Sequence, residues 1–249
     1  MAIQSLILVG GLSTRMGCPK YMLSVPIAPT RTVLPLLVVL LEQHHKFQMT
    51  RHGGHSSIKI AVRNVQQKQE VISFLSAQHL PAEIEVVYVV DTFENAGPAS
   101  ALLAAYASNI HATWLVTGCD YPLVTTETLE QLVQAAAAHP TSAVTCFLNE
   151  SGFHEPLLAL WRPTALAVLR TRMEAARLEA RNLGPSSVIR YLANRDAGAV
   201  AQLVAADARW LTNMNDMDDW MQICKILSQE ATRSFKGEIE PRDARLQRN

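Results

Sequence analysis

Six short segments place polar, charged or glycine residues beside mostly apolar stretches: Gly10–Lys20, Arg63-Asn64, Asp91, Cys119-Asp120-Tyr121-Pro122, His154-Glu155-Pro156 and Asn213-Met214-Asn215. The first is the richest. Gly10, Gly11 and Gly17 allow positive φ and close backbone approach to an anion. Ser13 and Thr14 add hydroxyl donors. Arg15 offers a planar fork for phosphate oxygens and Lys20 a point charge. Together they suit a triphosphate. The segment lacks the order of a Walker A loop and of a GxGxxG dinucleotide fingerprint. Nor is it a GxSxG nucleophile elbow, because Arg15 stands where the last glycine would be.

Asp120 follows an apolar strand and precedes Pro122. A carboxylate there suits Mg2+, which prefers one or two carboxylates together with phosphate oxygens. An ordinary turn residue is the competing reading. Asn215 is equally two-sided, since asparagine before a helix is first of all a cap. His52-Gly53-Gly54-His55 reads as a solvated loop sooner than a metal site. His154-Glu155 either assists an acceptor or simply leads into a strand. Ser186 and Ser187, near Arg181 and Arg190, read as helix caps sooner than as a phosphate site.

The elements that would carry these segments follow from hydrophobic periodicity. The apolar run Ile3–Val9 reads as a parallel strand buried on both faces, and Ile58–Val62, Ile84–Val90 and Thr113–Thr117 read as further strands. Ser142–Phe147, Leu157–Trp161 and the ambiguous Val200–Ala205 read as later strands. Helices are expected at Leu34–Gln43 (with Pro35 in the first turn), Gln66–Gln78, Pro98–Ser108, Thr126–Ala138, Pro163–Arg181, Ser186–Ala193 and Asp216–Gln229. Phe47–Ser57 is polar and reads as a loop. The alternation predicts an α/β fold of three layers, α/β/α, Rossmann-like and doubly wound on a mostly parallel sheet. In such folds ligands bind beyond the carboxyl ends of the strands, where the polar segments cluster. Residues 1–232 are expected to form one domain, followed by a charged, mobile tail from about Arg233 to Asn249.

Bulk properties narrow the function classes. The chain carries 22 basic and 22 acidic residues, for a net charge of zero. No global field therefore attracts nucleic acid or an anionic membrane surface. The four cysteines form no CxxC pair, which argues against zinc and for a reduced, cytoplasmic setting. The longest apolar run, Val33–Leu41, covers nine residues, under half of the roughly 20 a membrane span needs. Met1–Gly11 has no basic leader and reads as a buried strand, not a signal peptide.

In combination the segments resemble the MobA-like NTP transferases, in particular the molybdenum cofactor guanylyltransferases. The loop form LxGGxSxRMGxxK is matched from Leu8 through Lys20, and Gly97-Pro98 opens an Ala/Leu-rich helix. CDxP is matched at Cys119–Pro122, an acidic residue before Pro and an apolar strand at Glu155–Leu160, and NxN at Asn213–Asn215. The resemblance is that of a nucleotide-diphospho-sugar transferase-like fold. It implies that the backbone of Leu8, Gly10, Gly11 and Ser13, with Arg15 and Lys20, binds the triphosphate. It further implies that Asp91 lies near the base or ribose with Asn64 nearby, and that Asp120 and Asn215 hold Mg2+. Arg15, Lys20 and Asp120 would carry catalysis, with no covalent intermediate. The implied substrates are GTP and a molybdopterin phosphate. Two clues conflict: Gly10-Gly11 resembles the guanine-selecting form, whereas Cys18-Pro19-Lys20 resembles cytidylyltransferases and leaves CTP open. Other acceptors, such as a sugar or alditol phosphate, and a non-catalytic nucleotide-binding module are the alternatives.

Overall fold

The computed structural model describes residues 3–11, 13–27, 32–52, 56–91, 97–179 and 183–237. The chain opens with β1 (Ile3–Leu8), followed by β2 (Ser24–Ile27), β3 (Thr32–Pro35), α1 (Leu36–His52), β4 (Ser56–Val62), α2 (Val65–Ser76) and β5 (Ile84–Val90). It continues through α3 (Pro98–Ser108), β6 (Thr113–Gly118), α4 (Thr126–Ala138), β7 (Val144–Leu148) and β8 (His154–Trp161). Helices α5 (Pro163–Leu178) and α6 (Pro185–Arg195), strand β9 (Val200–Leu203) and helix α7 (Met217–Gly237) complete it.

Seven strands form one sheet in the order β5-β4-β1-β6-β8-β7-β9. The pairings β4–β5, β1–β4, β1–β6 and β7–β9 are parallel; β8 runs antiparallel to both of its neighbours. The doubly wound, mostly parallel sheet is thus as expected. Alternate strand residues feed two cores. Ile7, Ile58, Ile60, Leu115, Phe147 and Leu160 pack with α1, α2, α4 and α7. Leu6, Leu8, Trp114, Val116, Ala159 and Trp161 pack with α3, α5 and α6. Both faces are dry, so the strands read as nearly continuous apolar runs. From β1 the chain winds outward through β4 to β5, then returns to place β6 on the other side of β1. That reversal puts the topological switch between β1 and β6, where α/β sheets open a crevice.

Three expectations are corrected. Pro35 does not open a helix: it ends β3, which pairs antiparallel with β2 (Ser24 opposite Pro35), and α1 starts one residue later. Strands β2 and β3 thus form a hairpin, closed onto the next element by Leu36 N–H donating to Leu23 O (2.8 Å). The polar stretch Phe47–His52 continues α1, because Phe47 is buried and Gln48 donates to Ser5 Oγ (2.9 Å). Tertiary contacts override its poor propensity. Helix α7 runs to Gly237, into the predicted tail; residues 238–249 lie outside those described, as do 53–55 of the histidine loop. Among the described residues, no helix is long and apolar enough to cross a membrane.

Candidate functional site

The loop after β1 is held by its own backbone and by one buried side chain. Ser13 is a non-glycine residue in the left-handed region (φ 49°), and Gly17 follows at φ 69°. Such a conformation at Ser13 costs on the order of 1–3 kcal/mol and persists only where the surroundings impose it. Here Ser13 O accepts from Met16 N (2.9 Å), and Ser13 Oγ accepts from Lys20 N (3.3 Å). Met16 anchors the turn in the core. Arg15 is exposed on the same loop, as are Gly11 and Cys18. Leu12 lies outside the described residues.

Lys20 leaves this loop toward the far end of the chain and donates its Nζ to Met214 O. Met214 N in turn donates to Asp120 O (2.9 Å). One backbone unit therefore stitches together the loop after β1, the turn after β6 and the approach to α7. Leu8 completes the frame. Its side chain is buried in the core, so only its backbone faces the site, and its carbonyl accepts from Cys119 N (3.1 Å).

Asp120 sits where β6 ends at Gly118. A Cβ at Gly118 would overlap Asp120 Oδ1, so glycine makes room for the carboxylate. Burial pushes the Asp120 pKa up, opposed by the Lys20 charge and by a hydrogen bond from Asn213. Asp120 Oδ1 and Asn213 Oδ1 are both buried and without a hydrogen-bond partner. Each is a hard oxygen that a hard cation could take as a ligand. Among the described residues no group of three or more His, Cys, Asp or Glu side chains could hold a metal.

The two predicted metal residues are not equivalent. Asn215 is exposed; its N–H donates to Asp219 Oδ2 (2.7 Å). Asp216 is the helix cap, accepting from Asp218 N and Asp219 N (3.1 and 3.0 Å). Asn213, not Asn215, bonds to Asp120. The Asn-x-Asn spacing flagged the segment without distinguishing its two ends.

Asn64 and Asp91 stand on the β4–β5 side. Asn64 spends its side-chain oxygen capping α2, accepting from Gln67 N (2.8 Å). Its amide NH2 remains for another partner. Asp91 continues the ladder through its N–H to Val62 O (2.9 Å), while its Oδ1 is buried without a partner. Burial raises its pKa to about 7, with the Arg63 charge opposing. Gly10 faces Arg63 closely: a Cβ there would stand 3.5 Å from Arg63 N.

Other residues around the site have roles that sequence left open. Glu155 accepts from Tyr121 O–H (2.6 Å) and from Asn149 Nδ2 (2.9 Å), tying the β7–β8 hairpin to the Asp120 turn. His154 points elsewhere, pairing with Gln202 (3.0 Å). Cys119, beside Asp120, has its pKa pushed up to about 12 by burial and then by the Asp120 charge, so it is no nucleophile. His44 is fully buried against Thr117 Oγ1 (2.9 Å), and burial lowers its pKa to about 3. It is a neutral core residue. Ser187 Oγ donates to Gly184 O (2.7 Å) at the start of α6.

Comparison with known proteins adds a family match. Residues 5–197 match the family described as the MobA-like NTP transferase domain. A molybdenum cofactor biosynthesis bifunctional protein of Synechocystis sp. is 26% identical over 228 residues, covering 89% of this chain and 53% of that protein. The chain thus spans about half the length of that relative. Among solved structures, molybdopterin-guanine dinucleotide biosynthesis protein A from Archaeoglobus fulgidus superposes with a TM-score of 0.64 at 20% identity, over 91% of this chain and 99% of that one. The 2-C-methyl-D-erythritol 4-phosphate cytidylyltransferase from Thermus thermophilus superposes with a TM-score of 0.53 at 15% identity, over 92% and 100%. At these identities the structures establish a shared fold.

Proposed function

The chain belongs to the family of MobA-like NTP transferase domains and is a nucleotidyltransferase; on that premise we propose that it transfers GMP from GTP to a phosphorylated acceptor, molybdopterin, in a Mg2+-dependent reaction that releases pyrophosphate. The observation that carries this reading is the Lys20–Met214–Asp120 link at the carboxyl ends of β1 and β6. It holds a cation and a carboxylate together where a triphosphate bound by the Ser13–Lys20 loop would lie. The names of the Synechocystis relative and of the Archaeoglobus structure support molybdopterin as the acceptor. Four free cysteine thiols accord with a cytoplasmic setting.

In this mechanism an oxygen of the acceptor phosphate attacks the α-phosphorus of GTP. The bond to the β,γ-diphosphate breaks, pyrophosphate leaves, and a phosphoanhydride forms. Arg15 and Lys20 neutralise the negative charge of the triphosphate as it redistributes. The backbone of Gly10, Gly11 and Ser13 and the strand end at Leu8 fix the phosphates in line with the acceptor. Asp91 and Asn64 take the base or ribose. Asp120, with the Asn213–Asn215 segment, would hold Mg2+, which when bound neutralises and orients the phosphate oxygens. The orphaned oxygens of Asp120 and Asn213 fit that role.

Incubation of the protein with Mg2+, molybdopterin and each of the four NTPs tests the proposal. Pyrophosphate release is expected with GTP, and its absence with both GTP and CTP would sink the assignment. A second reading has one observation in its favour: Cys18-Pro19-Lys20 ends the loop as in cytidylyltransferases. Release with CTP alone, or with a sugar or alditol phosphate in place of molybdopterin, would select it.

A further inference from the structure

Strands β1 and β4 separate at one identifiable rung. In their parallel register Leu8 lies opposite Ala61, and Val9 N donates to Ala61 O (3.1 Å). The next rung of such a ladder would run from Arg63 N to Val9 O. It is replaced by a side chain. Arg63 N donates to Gln67 Oε1 (2.8 Å), and Gln67 Nε2 donates to Val9 O (3.0 Å). A whole carboxamide is thus inserted between two groups that would otherwise pair directly at roughly 2.9 Å.

Gln67 is only 5% exposed and is fixed from its own backbone, because its N–H is the donor to the Asn64 cap. The Asn64-x-x-Gln67 spacing is that of a capping box, in which the N3 side chain ordinarily returns to the cap residue's N–H. Here it reaches past the cap to the neighbouring strand. A sheet that simply continued would need no buried amide at this place. The wedge parts β1 from β4 immediately before Gly10 on one side and Asn64 on the other. The two walls stay within van der Waals reach, since a Cβ on Gly10 would touch Arg63 N at 3.5 Å. The phosphate-side residues Ser13–Lys20 are braced elsewhere, by Met16 and by Met214.

We propose that Gln67 is a positioning residue for the nucleoside half of the nucleotide: its amide sets the spacing of Gly10 against Arg63-Asn64, the edge on which the nucleoside rests. This rests on the nucleotide-binding reading above and deepens it. The test is equilibrium binding of GTP and of inorganic tripolyphosphate, each with Mg2+, to the wild-type protein and to Gln67→Met. Gln67→Met keeps the volume and removes both polar contacts. The variant is expected to weaken GTP by about tenfold or more while leaving tripolyphosphate within about twofold, a selective loss of the contacts behind one power of ten in Kd. General damage to the fold would weaken both ligands alike, and that result overturns the proposal. So does unchanged GTP affinity in Gln67→Met, or a wild type that binds the two ligands equally. A wild type that binds neither ligand sinks the nucleotide-binding reading itself, together with this inference.

Discussion

Lys20 connects the two halves of the site, through Met214 to Asp120. A preorganised charge aimed at a transferring phosphate is worth on the order of 10²–10³ in rate. Lys20→Ala should therefore lower kcat/KM by about 10²–10³, read by pyrophosphate release, with the fold intact by circular dichroism. Asp91 permits a prediction of opposite character. Its pKa rises from 3.8 to about 7, first through burial, against the Arg63 charge. Between those values the native state binds the proton more tightly than the unfolded state does. Stability from this group is therefore full below about pH 4 and is lost as pH rises toward 7. Asp91→Asn should raise the Tm of the nucleotide-free protein at pH 8, and the gain should vanish near pH 4. An equal gain at both pH values would show that burial of the charge is not its cause.

At the scale of elements, the least obvious support is Arg162, which precedes α5. Its guanidinium donates to Ala136 O (2.7 Å), Ser142 O (2.8 Å), His139 O (3.2 Å) and Pro140 O. Those carbonyls belong to the last turn of α4, which carries no basic residue of its own, and to the loop that leads to β7. Arg162→Ala would strip the buried carbonyls of Ala136 and Ser142 of this donor, at about 1–3 kcal/mol for such a loss. For a chain of this size that lowers Tm by roughly 2–12 °C. KM for the nucleotide should not move, because Arg162 acts on the β7 side of the sheet. Thermal melts and initial rates on one preparation separate the two effects.

On the scale of the whole molecule, the site draws on residues from nearly the full described chain, from Gly10 to Asn215. A ligand that joins such distant segments stabilises the native state only. At about 100 times its Kd it adds about 2.7 kcal/mol, or roughly 5–11 °C in Tm. GTP with Mg2+ should produce a shift of this order in a thermal melt, and EDTA should remove most of it. We expect residues 1–232 to respond as one unit, with a single transition; two transitions would divide the chain into separate domains.

The amino-acid order by itself determined the alternation of strands and helices, the doubly wound sheet and the loop after β1, because burial on both faces leaves a clear pattern of apolar runs. Glycines and cations cluster locally, so Gly10–Lys20 was legible. The β2–β3 hairpin and the second half of α1 were not, since Pro35 and the polar Phe47–His52 stretch take their conformation from pairing with Ser24 and from contact with Ser5. Only the tertiary structure decided which of Asn213 and Asn215 meets Asp120, and that Glu155 braces its turn. The Gln67 wedge is the clearest case. Its sequence spacing looks like an ordinary cap, and its position between Val9 and Arg63 follows from the packing of two strands more than 50 residues apart in the chain. Periodicity records what each residue buries; it holds no record of the partner a buried polar group finds across the fold.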